Sequence, residues 1–247
     1  MNKGVTHTHD CGIKPHKVKY RKNYKFYNNN IFFKIFSSTI TFLTVVLVYP
    51  IKKILWGYQV RGKENLKGIK RGLTICNHAT VQDGFTIVPS LYPRKVYTTV
   101  LEENMGYPVV SQFFRSVGAV PIPNDRKLFV QFLKETRNIS NKNIFIQIFP
   151  EGSLIPYCDH IREFMPGAFH IAYDCKNPII PMVTTFHKRK GIYRLKRKPS
   201  IRLNVLTPYY IDYNLPKKEA INKAKEDLFN IINEYFITNS VNAFKNN

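Results

Sequence analysis

A histidine and an aspartate lie five residues apart, at His78 and Asp83, in the segment 77–83, which reads NHATVQD. Five residues of a regular helix turn through about 140°, so on one helix the two side chains would point to nearly opposite faces. They can meet only if His78 ends a strand and Asp83 begins a helix. A carboxylate that holds one imidazole nitrogen fixes the tautomer and leaves the other nitrogen free to take a proton from a hydroxyl group. A loop histidine beside a helix N-cap would have the same spacing, and the spacing alone leaves both interpretations open.

Two further segments place turn residues directly after strand-like runs. Segment 149–153 reads FPEGS and puts a carboxylate, Glu151, and a glycine that permits close approach, Gly152, at the end of an apolar run. Segment 178–183 reads PIIPMV, an apolar run framed by prolines. Either segment is common in proteins, so neither predicts a function by itself.

Other nucleophiles and metal ligands are less well placed. The stretch 7–11, HTHDC, could bind a metal weakly, but a disordered basic tail is the favoured interpretation. No G-x-S-x-G elbow is present and no cysteine is positioned as a nucleophile, which argues against an esterase. His160, beside Asp159, is an alternative base, whereas His170 lies in an amphipathic segment and is predicted to be structural. The cysteines indicate reduced thiols in a cytosolic setting, because no two have metal-ligand spacing: Cys11, Cys76, Cys158 and Cys175.

The elements that must position these residues alternate between strands and helices from Gly57 onward. This alternation predicts an α/β fold, a mostly parallel sheet flanked by helices. It also places His78 and Glu151 directly after strands. The predicted strands are 58–61, 72–76, 95–100, 118–122, 144–149, 179–185 and 201–206, and the predicted helices are 84–91, 107–117, 127–138, 168–175 and 217–236.

The N-terminal quarter of the chain differs from the rest. Residues 1–30 are predicted to be a basic disordered tail, 31–56 an N-terminal membrane-binding helix, and 57–247 the domain that holds the candidate catalytic residues. The uncharged run 35–51 would reach about 25 Å as a helix, close to the ~30 Å hydrocarbon core of a bilayer. Pro50 is expected to kink or stop this helix. Because both flanks are basic, a span, an anchor lying on the cytosolic leaflet and a buried helix all stay open.

The charge balance points to a polyanionic partner. Thirty-eight Lys and Arg against sixteen Asp and Glu give a formal net charge of +22, which suits nucleic acid, an anionic membrane surface or phosphate-bearing substrates. The apolar anchor and the absence of a zinc-finger or RNP-type signature argue against nucleic acid, which stays as an alternative. Membrane phospholipids are therefore the expected partner, with the catalytic domain on the cytoplasmic side of the membrane.

Taken in order, four blocks resemble the lysophospholipid acyltransferase family, which includes 1-acyl-glycerol-3-phosphate acyltransferase. The blocks read NHATVQDG, GAVPIP, FPEGS and PIIPMV, and the resemblance covers about residues 57–210. The His-x4-Asp and Pro-Glu-Gly blocks are its most diagnostic parts. The resemblance makes 57–247 an acyltransferase domain.

The family resemblance implies a role for each block. His78 would be the general base, Asp83 its orienting partner, and Glu151, Gly152 and Ser153 would help to hold the acceptor. The acyl donor would be acyl-CoA or acyl-carrier protein, used as a co-substrate, and no bound cofactor or metal would be needed. The expected acceptor is 1-acyl-glycerol-3-phosphate, whose acylation gives phosphatidic acid.

The chain departs from the family pattern where a phosphate would be bound. Members that act on a phosphate-bearing acceptor usually continue the Pro-Glu-Gly block with Thr and then Arg, whereas this chain has Ser153 and Leu154. Arg126 is the expected substitute, and Arg115 and Arg162 are others. An acceptor without a terminal phosphate therefore stays as an alternative, as does a lipid-binding protein of the same fold that does not catalyse.

Overall fold

Seven strands form one mixed sheet in the computed structural model, which describes residues 18, 20, 24–106, 108–195 and 198–241. The strands are β1 Gln59–Arg61, β2 Gly72–Cys76, β3 Lys95–Leu101, β4 Ala119–Ile122, β5 Ile144–Ile148, β6 Ile179–His187 and β7 Ser200–Val205. Their order is β1-β7-β6-β2-β5-β3-β4, and only the β6–β7 pairing is antiparallel. The predicted α/β class with a mostly parallel sheet is confirmed.

Helices cover both faces of the sheet. They are α1 Ile31–Leu43, α2 Tyr49–Trp56, α3 Asp83–Leu91, α4 Pro108–Ser116, α5 Arg126–Ser140, α6 Gly167–Cys175 and α7 Lys217–Asn239. On one face, Ile146 of β5 packs in a cluster with residues of α5, α6 and α7. On the other face, its neighbour Phe145 packs in a second cluster with residues of α3. Successive residues of a strand point to opposite faces, so a strand between two helical layers must be apolar on both sides.

The carboxyl ends of the central strands meet at one edge of the sheet, and the candidate catalytic residues follow these ends. Strands β2 and β5 are buried at every residue, which explains why each reads as a continuous apolar run. β2 lies between β5 and β6 and runs parallel to both. The loops that follow these three strands therefore leave the sheet side by side, which is where ligands bind in α/β folds.

Part of the predicted disordered tail is instead packed on the domain. Phe26 and Tyr27 are buried, and their backbone N–H groups donate to Glu135 Oε2 at 2.9 and 3.3 Å. The Phe26 ring meets Phe132 of α5 edge-on, with 5.5 Å between centroids. The tail prediction is therefore wrong from Tyr24 onward, because aromatic residues among the basic ones find partners more than 100 positions away. The segment 7–11 lies outside the described residues.

The N-terminal helix runs from Ile31 to Trp56 and is long and apolar enough to cross a membrane. It continues through Pro50 rather than stopping there, with a π-helical stretch, Thr44–Val48, directly before α2. The helix ends at Gly57, whose φ of 62° is left-handed. Most of its apolar side chains are exposed, so it is not the buried helix of a soluble core.

Candidate active site

His78 and Asp83 meet at the carboxyl end of β2. His78 lies two residues after the strand and Asp83 is the first residue of α3. His78 Nδ1 lies 2.9 Å from Asp83 Oδ2, and the two side chains are 22% and 3% exposed. The turn between strand and helix therefore brings together two residues that one regular helix would hold apart.

The Asp83 carboxylate acts only as an acceptor. Its Oδ2 accepts from the backbone N–H of Ala79 at 2.8 Å and of Thr80 at 2.9 Å. Its Oδ1 lies 2.6 Å from Thr80 Oγ1. A carboxylate that accepts from several donors requires His78 Nδ1 to be a donor as well, so the proton of the neutral imidazole lies on Nδ1. Its Nε2 lone pair is then free to accept a proton.

The imidazole ring is held in place by its neighbours. It stacks on Phe149 with 4.1 Å between ring centroids and 13° between planes. Asn77, directly before it, bridges to β6: its side-chain amide donates to the Thr184 carbonyl at 3.1 Å, and its oxygen accepts from the Thr184 N–H at 2.8 Å. No group in the described part of the chain forms a hydrogen bond with Nε2. The ring is therefore fixed in orientation, while its second nitrogen is not engaged by the described residues.

Glu151 lies next to the dyad, but its carboxylate is engaged within the protein. Its Oε2 accepts from the His78 backbone N–H at 3.2 Å and pairs with Arg162 at 2.5 Å. Arg162 also donates to Ser153 Oγ at 2.7 Å and to the Ser153 carbonyl. Burial raises the pKa of the Glu151 carboxyl, and the Arg162 guanidinium opposes this shift. The ion pair thus connects the Pro-Glu-Gly loop to the backbone of the histidine.

Gly152 holds the same loop in a conformation that suits glycine. Its φ is 72°, and an added Cβ would lie 2.6 Å from Met165 Sδ. The chain then passes over the end of β2, where the Tyr157 N–H donates to the Ala79 carbonyl at 2.8 Å. It returns to the loop where the Met165 N–H donates to the Pro150 carbonyl at 2.7 Å. The connection 149–166 therefore forms one wall of the site.

The arginines considered as phosphate ligands lie in different places. Arg126 is the first residue of α5 and is exposed. It follows β4, three strands away from β2, which at about 4.8 Å per strand is roughly 14 Å across the sheet. Arg115 donates to the Lys25 carbonyl at 2.9 Å and lies over the Tyr24 ring. Of the three, Arg162 is the one in contact with the loop beside His78.

The alternative base, His160, has a carboxylate partner in a different environment. His160 Nδ1 lies 3.0 Å from Asp159 Oδ1, but the two side chains are 68% and 54% exposed. With Cys158 they form a group whose ligand-type atoms lie within 4.8 Å of one another. This pair is mostly exposed, whereas the His78 and Asp83 side chains are 22% and 3% exposed. The geometry therefore favours His78 as the base.

Two supporting residues were not assigned a role from the sequence, and a third, Arg162, was considered only as a phosphate ligand. Thr80 and Asn77 belong to the segment that contains His78, but no local pattern shows which backbone groups they reach. Arg162 lies 11 residues from Glu151. Its only sequence signal is the absence of an arginine at Leu154, directly after the Pro-Glu-Gly-Ser run.

Comparison with known proteins agrees with this geometry. The profile of the family described as Acyltransferase matches residues 57–185, more than half of the chain. The chain is 31% identical over 150 residues to a 1-acyl-sn-glycerol-3-phosphate acyltransferase of Cocos nucifera, which covers 60% of this chain and 46% of the relative. A protein of the same description from Limnanthes alba is 29% identical over 168 residues, 64% of this chain and 58% of the relative. The chain thus spans about half the length of these curated relatives.

A solved structure has the same fold. The crystal structure of the 1-acyl-sn-glycerophosphate (LPA) acyltransferase PlsC from Thermotoga maritima aligns with a TM-score of 0.50 and 18% sequence identity. The alignment covers 82% of this chain and 85% of that one. At this identity the likeness concerns the fold alone.

Proposed function

We infer, from the fact that this chain belongs to the acyltransferase family, that it transfers a fatty acyl group to the free hydroxyl of a lysophospholipid. The observation that carries the proposal is the His78–Asp83 pair, with Nδ1 bound to the carboxylate at 2.9 Å in a histidine side chain that is 22% exposed. We propose 1-acyl-glycerol-3-phosphate as the acceptor, because the curated relatives are 1-acyl-sn-glycerol-3-phosphate acyltransferases. Acyl-CoA or acyl-carrier protein would be the donor.

The proposed reaction is a direct transfer with one proton relay. His78 Nε2 takes the proton of the acceptor hydroxyl as its oxygen attacks the thioester carbonyl of the donor. The new carbon–oxygen bond forms, the carbon–sulfur bond breaks, and the imidazolium returns the proton to the departing thiolate. Asp83 keeps the imidazole in the required tautomer and stabilises the imidazolium. No nucleophile, cofactor or metal of the protein enters this scheme.

Acyl transfer in detergent micelles tests the proposal. Wild type and His78→Ala would be compared with a labelled acyl donor, as acyl-CoA and as acyl-carrier protein, and with a panel of lysolipids. We expect wild-type transfer to lysophosphatidate and loss of activity in a His78→Ala protein that remains folded by circular dichroism. His160→Ala is the matched control and should remain active. Full activity of His78→Ala would contradict the assignment of His78 as the base. Transfer to no acceptor by the wild type would contradict the proposed reaction and favour a non-catalytic lipid-binding role.

An acceptor without a terminal phosphate is the second candidate. Leu154 occupies the position after the Pro-Glu-Gly-Ser run where an arginine would bind the phosphate. Arg162 reaches the same loop, but it donates to Glu151 and Ser153 instead. The lysolipid panel separates the two candidates, because a clear preference for lysophosphatidate over acceptors with neutral headgroups contradicts the second.

We further propose that the N-terminal helix lies along the membrane surface rather than crossing it. Ser37 Oγ donates to the Ser116 carbonyl of α4 at 2.6 Å. Near the other end, the Tyr193 hydroxyl donates to the Ile54 carbonyl at 2.7 Å. These contacts are 17 residues apart, which is about 26 Å of helix. A helix that follows the domain over this length leaves no room for a bilayer between them, so the exposed apolar face would enter one leaflet.

A further inference from the structure

Lys52 of α2 is buried, and its ammonium group has no hydrogen-bond partner among the residues that the structure describes. The residue is 7% exposed, and its Nζ atom has almost no contact with solvent. An ammonium group has three donors, and a buried charge without a partner is strongly unfavourable. A hydrogen-bond acceptor that reaches Nζ would therefore stabilise the ammonium group.

The packing of the N-terminal helix places Lys52 on the side of α2 that is buried against the domain. Tyr49, one turn earlier on the same face of α2, has its ring centroid 6.0 Å from that of Tyr58. The Tyr58 hydroxyl lies 3.2 Å from Ser90 Oγ in α3. The same helix α3 begins at Asp83. Burial lowers the pKa of Lys52 to about 8, and the negative charge of the Asp83 carboxylate opposes this shift. A residue of the N-terminal helix thus adds a positive charge to the surroundings of the active site.

Asp83 itself does not satisfy Lys52. The two carboxylate oxygens of Asp83 already have contacts with His78 Nδ1, with the N–H groups of Ala79 and Thr80, and with Thr80 Oγ1. No hydrogen bond joins Asp83 to Lys52 within the described residues. Arg162 is held by Glu151 and Ser153, so it does not offer its charge in the same way. Arg162 Nε is also buried without a partner, but the other two guanidinium nitrogens are held, whereas the Lys52 ammonium has no acceptor at all among the described residues.

We propose that Lys52 binds a phosphate oxygen of a substrate at the His78 site. This inference rests on the proposed function, because two phosphate-bearing substrates follow from it: the phosphomonoester of lysophosphatidate and the phosphates of a coenzyme A donor. A lysine is a point charge on a flexible four-carbon stem, so its ammonium can move to meet such an oxygen. The anchoring helix would then supply a substrate-binding residue as well as membrane affinity.

Steady-state kinetics of Lys52→Met separate the two phosphates. The acceptors are 1-acyl-glycerol-3-phosphate and 1-acyl-glycerol, which differ only in the phosphate. If Lys52 binds the acceptor phosphate, KM for 1-acyl-glycerol-3-phosphate rises at least tenfold and KM for 1-acyl-glycerol is unchanged. A rise in KM for acyl-CoA alone assigns Lys52 to the donor phosphates. Lys52→Arg should recover part of the affinity, and Lys53→Met, at the exposed neighbouring position, should behave as wild type.

Two results would overturn the proposal. One is an unchanged KM for every substrate in Lys52→Met. The other is a fall in kcat that is equal for both acceptors, which would mean that Lys52 acts on the charge of Asp83 instead.

A binding measurement separates failure of this inference from failure of the proposed function. The ligands are acyl-CoA and a 2-deoxy analogue of lysophosphatidate, which lacks the acceptor hydroxyl, and calorimetry in micelles follows their binding to each variant. Binding that weakens at least tenfold in Lys52→Met supports the phosphate site even if no acyl transfer is found. Wild-type acyl transfer with binding of both ligands unchanged in Lys52→Met leaves the proposed function intact and removes the role of Lys52.

Discussion

At the scale of single residues, the candidate site depends on the charge and orientation that Asp83 gives to His78. Asp83 Oδ2 accepts from two backbone N–H groups in addition to its contact with His78 Nδ1. These bonds fix the carboxylate before any substrate arrives. Asp83 also lies at the positive end of the α3 dipole, which favours its negative charge. The imidazole is therefore oriented by a group that is itself rigidly held.

Replacing Asp83 with Asn tests this dependence. The amide oxygen can still accept from Nδ1, but the charge that stabilises the imidazolium is lost. We expect kcat to fall by about 10²- to 10⁴-fold with little change in KM. Asp159→Asn is the matched control, because Asp159 pairs with the exposed His160. Equal losses in the two variants, measured by initial rates in micelles, would contradict the assignment.

Arg162 illustrates a residue that stabilises the site without a place in the proposed chemistry. Arg162→Met would leave the buried Glu151 carboxylate without its partner, and breaking such a pair by removing one side costs about 3–5 kcal/mol. We expect a loss of this order in the free energy of unfolding, measured by urea denaturation. Arg137→Met is the control, since its ion pair with Asp174 is largely exposed and should contribute about 1 kcal/mol or less.

A double variant tests whether the loss of stability comes from the Glu151 charge that is left without a partner. Glu151→Gln combined with Arg162→Met removes both charges, so it should be more stable than Arg162→Met alone. A double variant that is less stable than either single one would show that the ion pair is not the cause.

At the scale of elements, the loops that follow β2 and β5 set the geometry of the site. The Pro-Glu-Gly loop turns at Gly152, whose φ is 72°. Gly152→Ala would force an alanine into the left-handed region and toward Met165 Sδ. We expect a loss of about 1–3 kcal/mol in stability, together with lower activity, because Glu151 holds the His78 backbone.

Gly167→Ala is the matched control for this prediction. Gly167 opens α6, and a Cβ there would have no heavy atom within 4 Å. We expect its thermal unfolding midpoint to equal or exceed that of wild type. If Gly152→Ala is as stable as Gly167→Ala, the left-handed turn is not what holds the loop.

The elements that could be predicted from the sequence are those with a local signal. Strands β2 and β5 were predicted within one residue, because a strand buried on both faces must be continuously apolar and the polar loops mark its ends. On α7, Ala220, Ala224 and Leu228 recur at helical spacing and are buried, but Ile231 is exposed and Phe236 is buried in the core. Helical spacing defines a broad face, and only the neighbouring helices decide its edge.

The features that could not be predicted depend on distant contacts. Phe26 and Tyr27 look like part of a basic tail, yet they are ordered by Glu135, more than 100 residues away. Lys52 looks like the basic flank of an apolar run, and only the packing of α2 on the domain buries it. The His78–Asp83 contact could be expected from the sequence, because the strand before His78 and the helix that begins near Asp83 both have clear local patterns.

At the scale of the whole molecule, the apolar face of the N-terminal helix continues into a second surface element. The connection between β6 and β7 contains a short 3-10 helix, Gly191–Leu195, in which Ile192 is 75% and Leu195 is 94% exposed. Tyr193 ties this turn to the end of α2 through the Ile54 carbonyl. Basic residues lie within the turn and on both sides of it in sequence, among them Lys188, Arg189, Lys190, Arg194 and Lys198. Exposed apolar side chains among basic ones suit an anionic leaflet.

A double charge substitution in this turn tests whether it contacts lipid. Ile192→Glu with Leu195→Glu would place carboxylates where the proposed surface meets anionic headgroups, so we expect weaker flotation with vesicles that contain phosphatidylserine. The effect should exceed that of Ile231→Glu with Ile237→Glu, which adds the same two charges at positions of α7 that are 40% and 69% exposed. Because the N-terminal helix would still bind, part of the flotation should survive in high salt. Flotation equal to wild type would mean that the helix alone holds the protein on the membrane. Equal loss of flotation in both variants would mean that the change in net charge, and not contact of this turn with lipid, causes the loss.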